Sequence, residues 1–414
     1  MPGIFQKANA GSVGELAEKQ GVRELLRWFT DQKPWINDQH VQLCRIPAPT
    51  FFEQERAEWV ARRLRELGCQ VRLDGAGNVV ARPRKAPQEP CVVASAHLDT
   101  VLAPRAPEEI VLEPGGRLRG PGVSDNGAGL AALVAIAAAL DASPALDDLH
   151  CGLILLANVC EEGEGNLSGM RHFCDFSPEG LAARAFLVLD GPGTDHITCS
   201  ALESRRFEVT FTGAGGHSWS DFGTGNPVHG LTRAIAAFLD RAGAQSQPPS
   251  RSSFNFGVIE GGSSVNAIPS LARAKVDLRS ETSEGVEELA ASLASAVERG
   301  AELENASSTG GKVAAAARLI GSRPGGSLPE NASILAFLRA VDSHLGIRAQ
   351  NNYASTDANI PLSKGLQAVS IGAGGSGGGA HTPGEWFHPG ARDLGLKRVM
   401  LTLALLMRDD SLAM

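Results

Sequence analysis

His97 and Asp99 stand two apart in the run Ser95-Ala96-His97-Leu98-Asp99-Thr100. On extended chain both side chains face the same way. That spacing suits an imidazole metal ligand with a carboxylate behind it, although a lone loop histidine serves as an ordinary hydrogen-bond partner about as often. Asp125 lies in Gly120-Pro121-Gly122-Val123-Ser124-Asp125-Asn126-Gly127. A carboxylate in a glycine-rich turn before a helix is, taken alone, most simply a helix cap. The same turn would also let a bridging carboxylate approach two metals without backbone clash. Glu161 and Glu162 follow an apolar run in Val159-Cys160-Glu161-Glu162-Gly163. Adjacent carboxylates delivered to the end of a buried strand are costly without a nearby cation. If the strand continues, they point in opposite directions, one toward a metal and one toward a substrate. Asp190 ends the apolar run Leu187-Val188-Leu189, and His381 sits in Gly379-Ala380-His381-Thr382-Pro383-Gly384-Glu385-Trp386.

Each of these motifs alone is weak. Acidic and imidazole groups at the ends of several separate buried strands are much harder to dismiss. The donor set is two imidazoles and three carboxylates with no sulfur, which suits zinc and also admits cobalt or manganese. Five ligands serve two ions only if one carboxylate bridges. Two such ions, about 3.5–4 Å apart, polarise a carbonyl and acidify a shared water.

The elements that must hold these groups are legible in the hydrophobic pattern. Residues 12–29 and 35–45 read as helices separated by a break at Pro34, and residues 53–67 form an amphipathic helix ended by Gly68. Short β segments follow at 70–74, 78–83 and 91–96. A small-residue helix spans 129–140, and buried strands span 149–159 and 185–189. This alternation predicts an α/β fold with a mixed, largely parallel sheet flanked by helices. From residue 205 the texture changes to strand 206–212, helix 227–241, strands 253–259 and 272–279, helix 283–299 and strand 312–320. The order β-α-β-β-α-β is that of a ferredoxin-like α+β unit. It divides the chain into a metal-binding domain in two parts, 1–204 and 321–414, around an inserted domain at 205–320. Helix 332–345, strand 368–371 and helix 391–407 complete the first domain.

Composition narrows the class. The chain has 414 residues, 43% hydrophobic and 20% charged, with a formal charge of −8. That charge argues against a general nucleic-acid binder. Seven cysteines with no Cys-x-x-Cys pair argue for free thiols rather than a disulfide framework. Residues 1–12 lack the apolar core of a signal peptide, and the longest apolar run, 130–140, is too short to span a bilayer. The expectation is a cytoplasmic protein with no membrane partner. Residues 372–377 match G-x-G-x-x-G, and residues 374–378 match G-x-S-x-G. No helix pattern starts in that loop, which disfavours a dinucleotide site or a serine nucleophile and suggests a flexible approach to His381.

Together the motifs resemble those of the co-catalytic zinc peptidases that include tripeptide aminopeptidase (peptidase T), carboxypeptidase G, aminoacylase, acetylornithine deacetylase and carnosinase. The resemblance extends over nearly the whole chain and implies a zinc-exopeptidase type of fold. It pairs His97 with Asp190 on one metal and Glu162 with His381 on the other, with Asp125 bridging. It makes Glu161 the general base and Asp99 the group that orients His97. His217, in Gly213-Ala214-Gly215-Gly216-His217-Ser218, resembles the histidine that reaches across a homodimer formed through the inserted domain. There it would stabilise the oxyanion. Asn266 and Arg279 resemble residues that hold substrate carbonyl or carboxylate groups. Arg279 is equally well explained as a surface ion pair.

Two positions depart from the pattern. Asn126 stands where many relatives carry an acid, and Glu164 adds a third carboxylate beyond the base. Short peptides are the expected substrates, by the likeness of residues 158–163 and 204–213 to the peptidase T branch, with N-acyl amino acids the alternative. A non-catalytic peptide-binding homologue would have lost ligands or base, and all are present.

Overall fold

The computed structural model describes residues 10–84, 89–144, 146–244 and 251–412. The amino-terminal residues 1–9, on which part of the leader reading rests, lie outside this set. The chain divides into two compact units, Met1–Ala201 with Gly326–Met414, and Leu202–Gly325.

The first unit is built on a nine-stranded sheet. From one edge its order is Cys69–Leu73, Val79–Pro83, Gly152–Asn158, Cys91–His97, Ala183–Leu189, Gln367–Ile371, His196–Ala201 and Gly326–Ser327, with Gln350–Ala354 also pairing with His196–Ala201. The three central strands Gly152–Asn158, Cys91–His97 and Ala183–Leu189 run parallel, and Gln367–Ile371 continues them in the same sense. The outer pairs are antiparallel, so the sheet is mixed. Strands covered on both faces must be apolar throughout. Every residue of Cys91–His97 and of Gly152–Asn158 is buried. Helix Gly127–Ala142, rich in alanine and glycine, packs close to the sheet and is buried over most of its length.

The expected helix 12–29 is two, Ala10–Glu18 and Gln20–Asp31; the other helices are longer or shifted at their ends but lie where the periodicity puts them. The break expected at Pro34 falls at Gln32, between Gln20–Asp31 and Lys33–Cys44, and the proline itself is helical. It occupies the first turn of Lys33–Cys44, where a missing N–H costs nothing. Helix Ser168–Phe176 and strand His196–Ala201 were not anticipated. The loop after Gln367–Ile371 is not a flexible approach. Ser376–Gly378 pairs with Trp386–His388, which pairs in turn with Leu118–Arg119. Its glycines allow backbone to approach backbone: a Cβ on Gly372 would lie 2.2 Å from the Pro192 carbonyl oxygen.

The second unit is an antiparallel sheet in the order Ser252–Gly261, Leu271–Ser280, Glu203–Thr212, Ala314–Arg323, with helices Pro227–Ala244 and Ser283–Ser307. This is the ferredoxin-like arrangement. Alternate strand residues such as Val209, Phe211, Ala274, Val276 and Leu278 face the helices and form its own core.

All seven cysteines are free and buried. Among the described residues no helix is long and apolar enough to cross a membrane.

Candidate metal centre

Parallel strands place their carboxyl ends together, and ligand sites gather there. His97 ends Cys91–His97 and is in register with Asn158, the last residue of the neighbouring strand. Asp190 follows Ala183–Leu189 on the other side. Asp125 comes from the turn that enters helix Gly127–Ala142, and the Asp125–Asn126 peptide is cis. His381 comes from the tip of the hairpin between Ser376–Gly378 and Trp386–His388, in the left-handed region at φ 64.

These loops bring five of the expected residues together. His97 Nε2 lies 3.1 Å from Asp125 Oδ1 and 3.7 Å from Asp190 Oδ1. His381 Nε2 lies 3.1 Å from Asp125 Oδ2 and 2.9 Å from Glu162 Oε1. Asp125 therefore turns one oxygen to each imidazole. His97, Asp125 and Glu162 offer donor atoms that all lie within 4.8 Å of one another. Ligands in a tetrahedral zinc shell sit roughly 3.3 Å apart, from bond lengths of about 2.0–2.1 Å. The observed spacings bracket that value, and a nitrogen-and-oxygen donor set is one that zinc accepts. The residues fit a divalent metal centre.

Electrostatics point the same way. Burial alone would lower the pKa of His97, but the neighbouring carboxylates of Asp125, Asp190 and Asp99 outweigh it and hold the ring well above its ordinary value. Asp125 and Glu162 push His381 up to about 10. Burial would raise Asp125, yet His381 and His97 pull it well below the usual carboxylate range. A cation and a proton compete for the same imidazole nitrogens, because only neutral imidazole ligates.

The surrounding groups differ from expectation in an instructive way. The carbonyl oxygen of Asp99, not its carboxylate, is hydrogen-bonded to His97 Nδ1 at 2.9 Å; the carboxylate stands 3.5 Å away. That carboxylate accepts instead from the backbone N–H groups of Glu161 and Glu162, at 3.0 and 2.8 Å, and from the Thr50 hydroxyl. The strand has already ended at Asn158, and Cys160 adopts φ 58. Glu161 and Glu162 thus sit in a turn, where strand alternation does not apply. The turn's N–H groups, having left the ladder, need other acceptors. Asn78 takes Val159 and Glu53 takes Cys160. Glu161 is buried beside them. Asp357 is also buried here, hydrogen-bonded to Asn158, and burial raises its carboxyl to about 7. Glu53 and Asn78 were missed because no local pattern links them to the turn they support.

The helix cap belongs to Asn126, not Asp125. Its side-chain oxygen accepts from Gly129 and Gly191, and its amide donates to the Leu189 carbonyl. Asp125 is left to face the imidazoles. Glu164 is exposed.

The remaining expected residues lie in the second unit. His217 is exposed, and its Nδ1 faces the N–H groups of Trp219 and Ser220 at 3.3 and 3.4 Å. The neighbouring Ser218 donates to the Asn266 carbonyl, so His217 and Asn266 share one loop cluster. Arg279 pairs with Asp277, as does Arg206 from the adjacent strand.

Comparison with known proteins extends this picture. Residues 203–304 match a peptidase dimerisation domain, and residues 78–214 match peptidase family M28. Succinyl-diaminopimelate desuccinylase of Corynebacterium glutamicum is 30% identical over 245 residues, 58% of this chain; the match spans 64% of that enzyme, just under two thirds. The aminopeptidase PepT structure from Bacillus cereus superposes with a TM-score of 0.66, covering 90% of this chain and 98% of that one at 19% identity. A tripeptidase structure from Staphylococcus aureus gives 0.70, with 91% and 99% coverage at 17% identity. At such identities these structures establish a shared fold. The chain thus carries a region similar to a peptidase dimerisation domain and a region similar to peptidase family M28, on a fold shared with peptidase structures.

Proposed function

We propose that this chain is a two-metal hydrolase that cleaves the amide bond of short peptides as an exopeptidase, nearest in kind to peptidase T. The observation that carries the reading is the carboxylate of Asp125, with each oxygen 3.1 Å from a different imidazole. His97 and Asp190 would hold one ion and His381 and Glu162 the other, with Asp125 shared. When bound, two divalent ions, zinc in the first instance, supply Lewis acidity to a water molecule and to the scissile carbonyl. Glu161 accepts the proton of the attacking water and returns it to the leaving amine, a role typically worth about 10²–10⁴-fold in rate. Asp99 holds Glu161 and Glu162 in place through their backbone N–H groups. His217, with Nδ1 turned to backbone donors, presents Nε2–H to the oxyanion of the tetrahedral intermediate. Asn266 and Arg279 bind the substrate's carbonyl and carboxylate. The match to a dimerisation domain supports a homodimer formed through the inserted unit.

The desuccinylase match favours a second reading, an N-acyl-amino-acid deacylase with the same machinery. One screen separates the two: zinc-loaded protein against di- and tripeptides and against N-acyl amino acids. Glu161→Gln is expected to lose at least about a hundredfold in kcat while keeping wild-type metal content. Full turnover in that variant would sink the assigned mechanism.

A further inference from the structure

The turn that presents Asp125 is held by a residue outside the donor set. Glu385 is 2% exposed. Its Oε1 accepts from the backbone N–H groups of Ser124 and Asp125, at 2.7 and 2.8 Å, and its Oε2 accepts from Gly122 at 2.8 Å. Its own carbonyl accepts from Gly120 at 2.9 Å. Four N–H groups of one turn therefore end on one side chain and its backbone. Glu385 follows His381 by four residues, at the start of the strand that pairs with Leu118–Arg119. It thus bonds the loop carrying one imidazole to the turn carrying the shared carboxylate. On the opposite side of the turn His40 Nε2 lies 2.7 Å from the Val123 carbonyl. His40 is held in turn by Arg392, which lies 4.3 Å over the Phe387 ring.

We propose that Glu385 is a positioning residue that fixes Asp125 and His381 relative to one another, so that metal affinity depends on a carboxylate that touches no metal. The inference rests on the two-metal reading. An ionised carboxylate is the acceptor the turn needs, since several N–H groups converge on it and charge-assisted bonds are the strong ones. A glutamine at 385 would turn an N–H₂ toward at least one of those donors and leave it unmatched. Supporting residues of this kind typically contribute 10–100-fold to metal affinity when lost. Nothing in the sequence around Glu385 signals this, because its partners lie some 260 positions away.

The test uses the full chain stripped with chelator and titrated calorimetrically with zinc, then with cobalt to record the visible spectrum. Glu385→Gln is expected to bind zinc about 10–100-fold more weakly than wild type, to show an altered cobalt spectrum, and to lose kcat at saturating metal more than it changes KM. Glu385→Asp keeps the charge one methylene short and serves the same test should the glutamine variant not fold. Weakened zinc binding in the folded variant supports the positioning role. Wild-type zinc affinity, even with a lowered melting temperature, overturns it and leaves a merely structural residue. A wild-type chain that binds no zinc fails the two-metal reading instead, so the two failures are distinct.

Discussion

Asn126 and Asp125 are neighbours with opposite duties, and side-chain chemistry decides which does what. The turn offers one helix cap and one carboxylate position facing the histidines. An amide can both accept from Gly129 and Gly191 and donate to Leu189; a carboxylate can only accept. Asp125 is the residue whose charge the imidazoles require. Asn126→Asp would bring a buried negative charge against the Leu189 carbonyl and orphan that acceptor. We expect it to destabilise the metal-free chain by about 1–3 kcal/mol, measured by urea unfolding. A change below about 0.5 kcal/mol would mean the amide donor contributes nothing. At this scale sequence reasoning named the residues that the structure brings together but not their supports. His97, Asp125, Glu162, Asp190 and His381 announce themselves by type and by position after apolar runs. Glu53, Asn78 and Glu385 act on backbone N–H groups far along the chain, and a single sequence holds no trace of that geometry.

At the level of elements, legibility followed burial. Cys91–His97 and Gly152–Asn158 are wholly buried, so their composition alone marked them as central strands. Strand His196–Ala201 carries polar residues and alternates poorly, and the small sheet around Trp386–His388 is built of pairs and triplets too short to show a period. The last helix, Arg392–Met407, is fastened within the first unit by a buried ion pair. Arg398 is fully buried and donates two bonds, 2.6 and 2.7 Å, to Asp342 of helix Ser333–Leu345. Burial raises the Asp342 carboxyl, and Arg398 opposes that shift. Removing one partner strands the other charge, which costs about 3–5 kcal/mol, whereas replacing both by apolar groups is often nearly neutral. Asp342→Ala should therefore lower stability by that amount, and the double change Asp342→Leu with Arg398→Met should recover most of it. Thermal unfolding of the three chains checks this. Equal losses in the single and double variants would show that the ion pair itself contributes the stability, rather than that its loss strands a charge.

For the whole molecule, the proposed assignment divides the residues between the two units. The five donors, Asp99 and Glu161 belong to the first unit; His217, Asn266 and Arg279 belong to the second. The proposed homodimer gives His217 a duty in its partner's site. Subunit mixing tests this without structural assumptions. A His217→Ala homodimer has no oxyanion donor, and a Glu161→Gln homodimer has no base, so each should be nearly inactive. In a heterodimer sharing sites across its symmetry axis, the His217→Ala subunit keeps its own Glu161 and receives His217 from its partner. One site is restored and the other lacks both groups. If each subunit used its own histidine, neither site of the heterodimer would be complete. The measurement is activity after the two variants are co-expressed with different tags and the mixed dimer is isolated. Turnover near half that of wild type supports the shared site, and turnover no higher than either parent assigns His217 to its own chain.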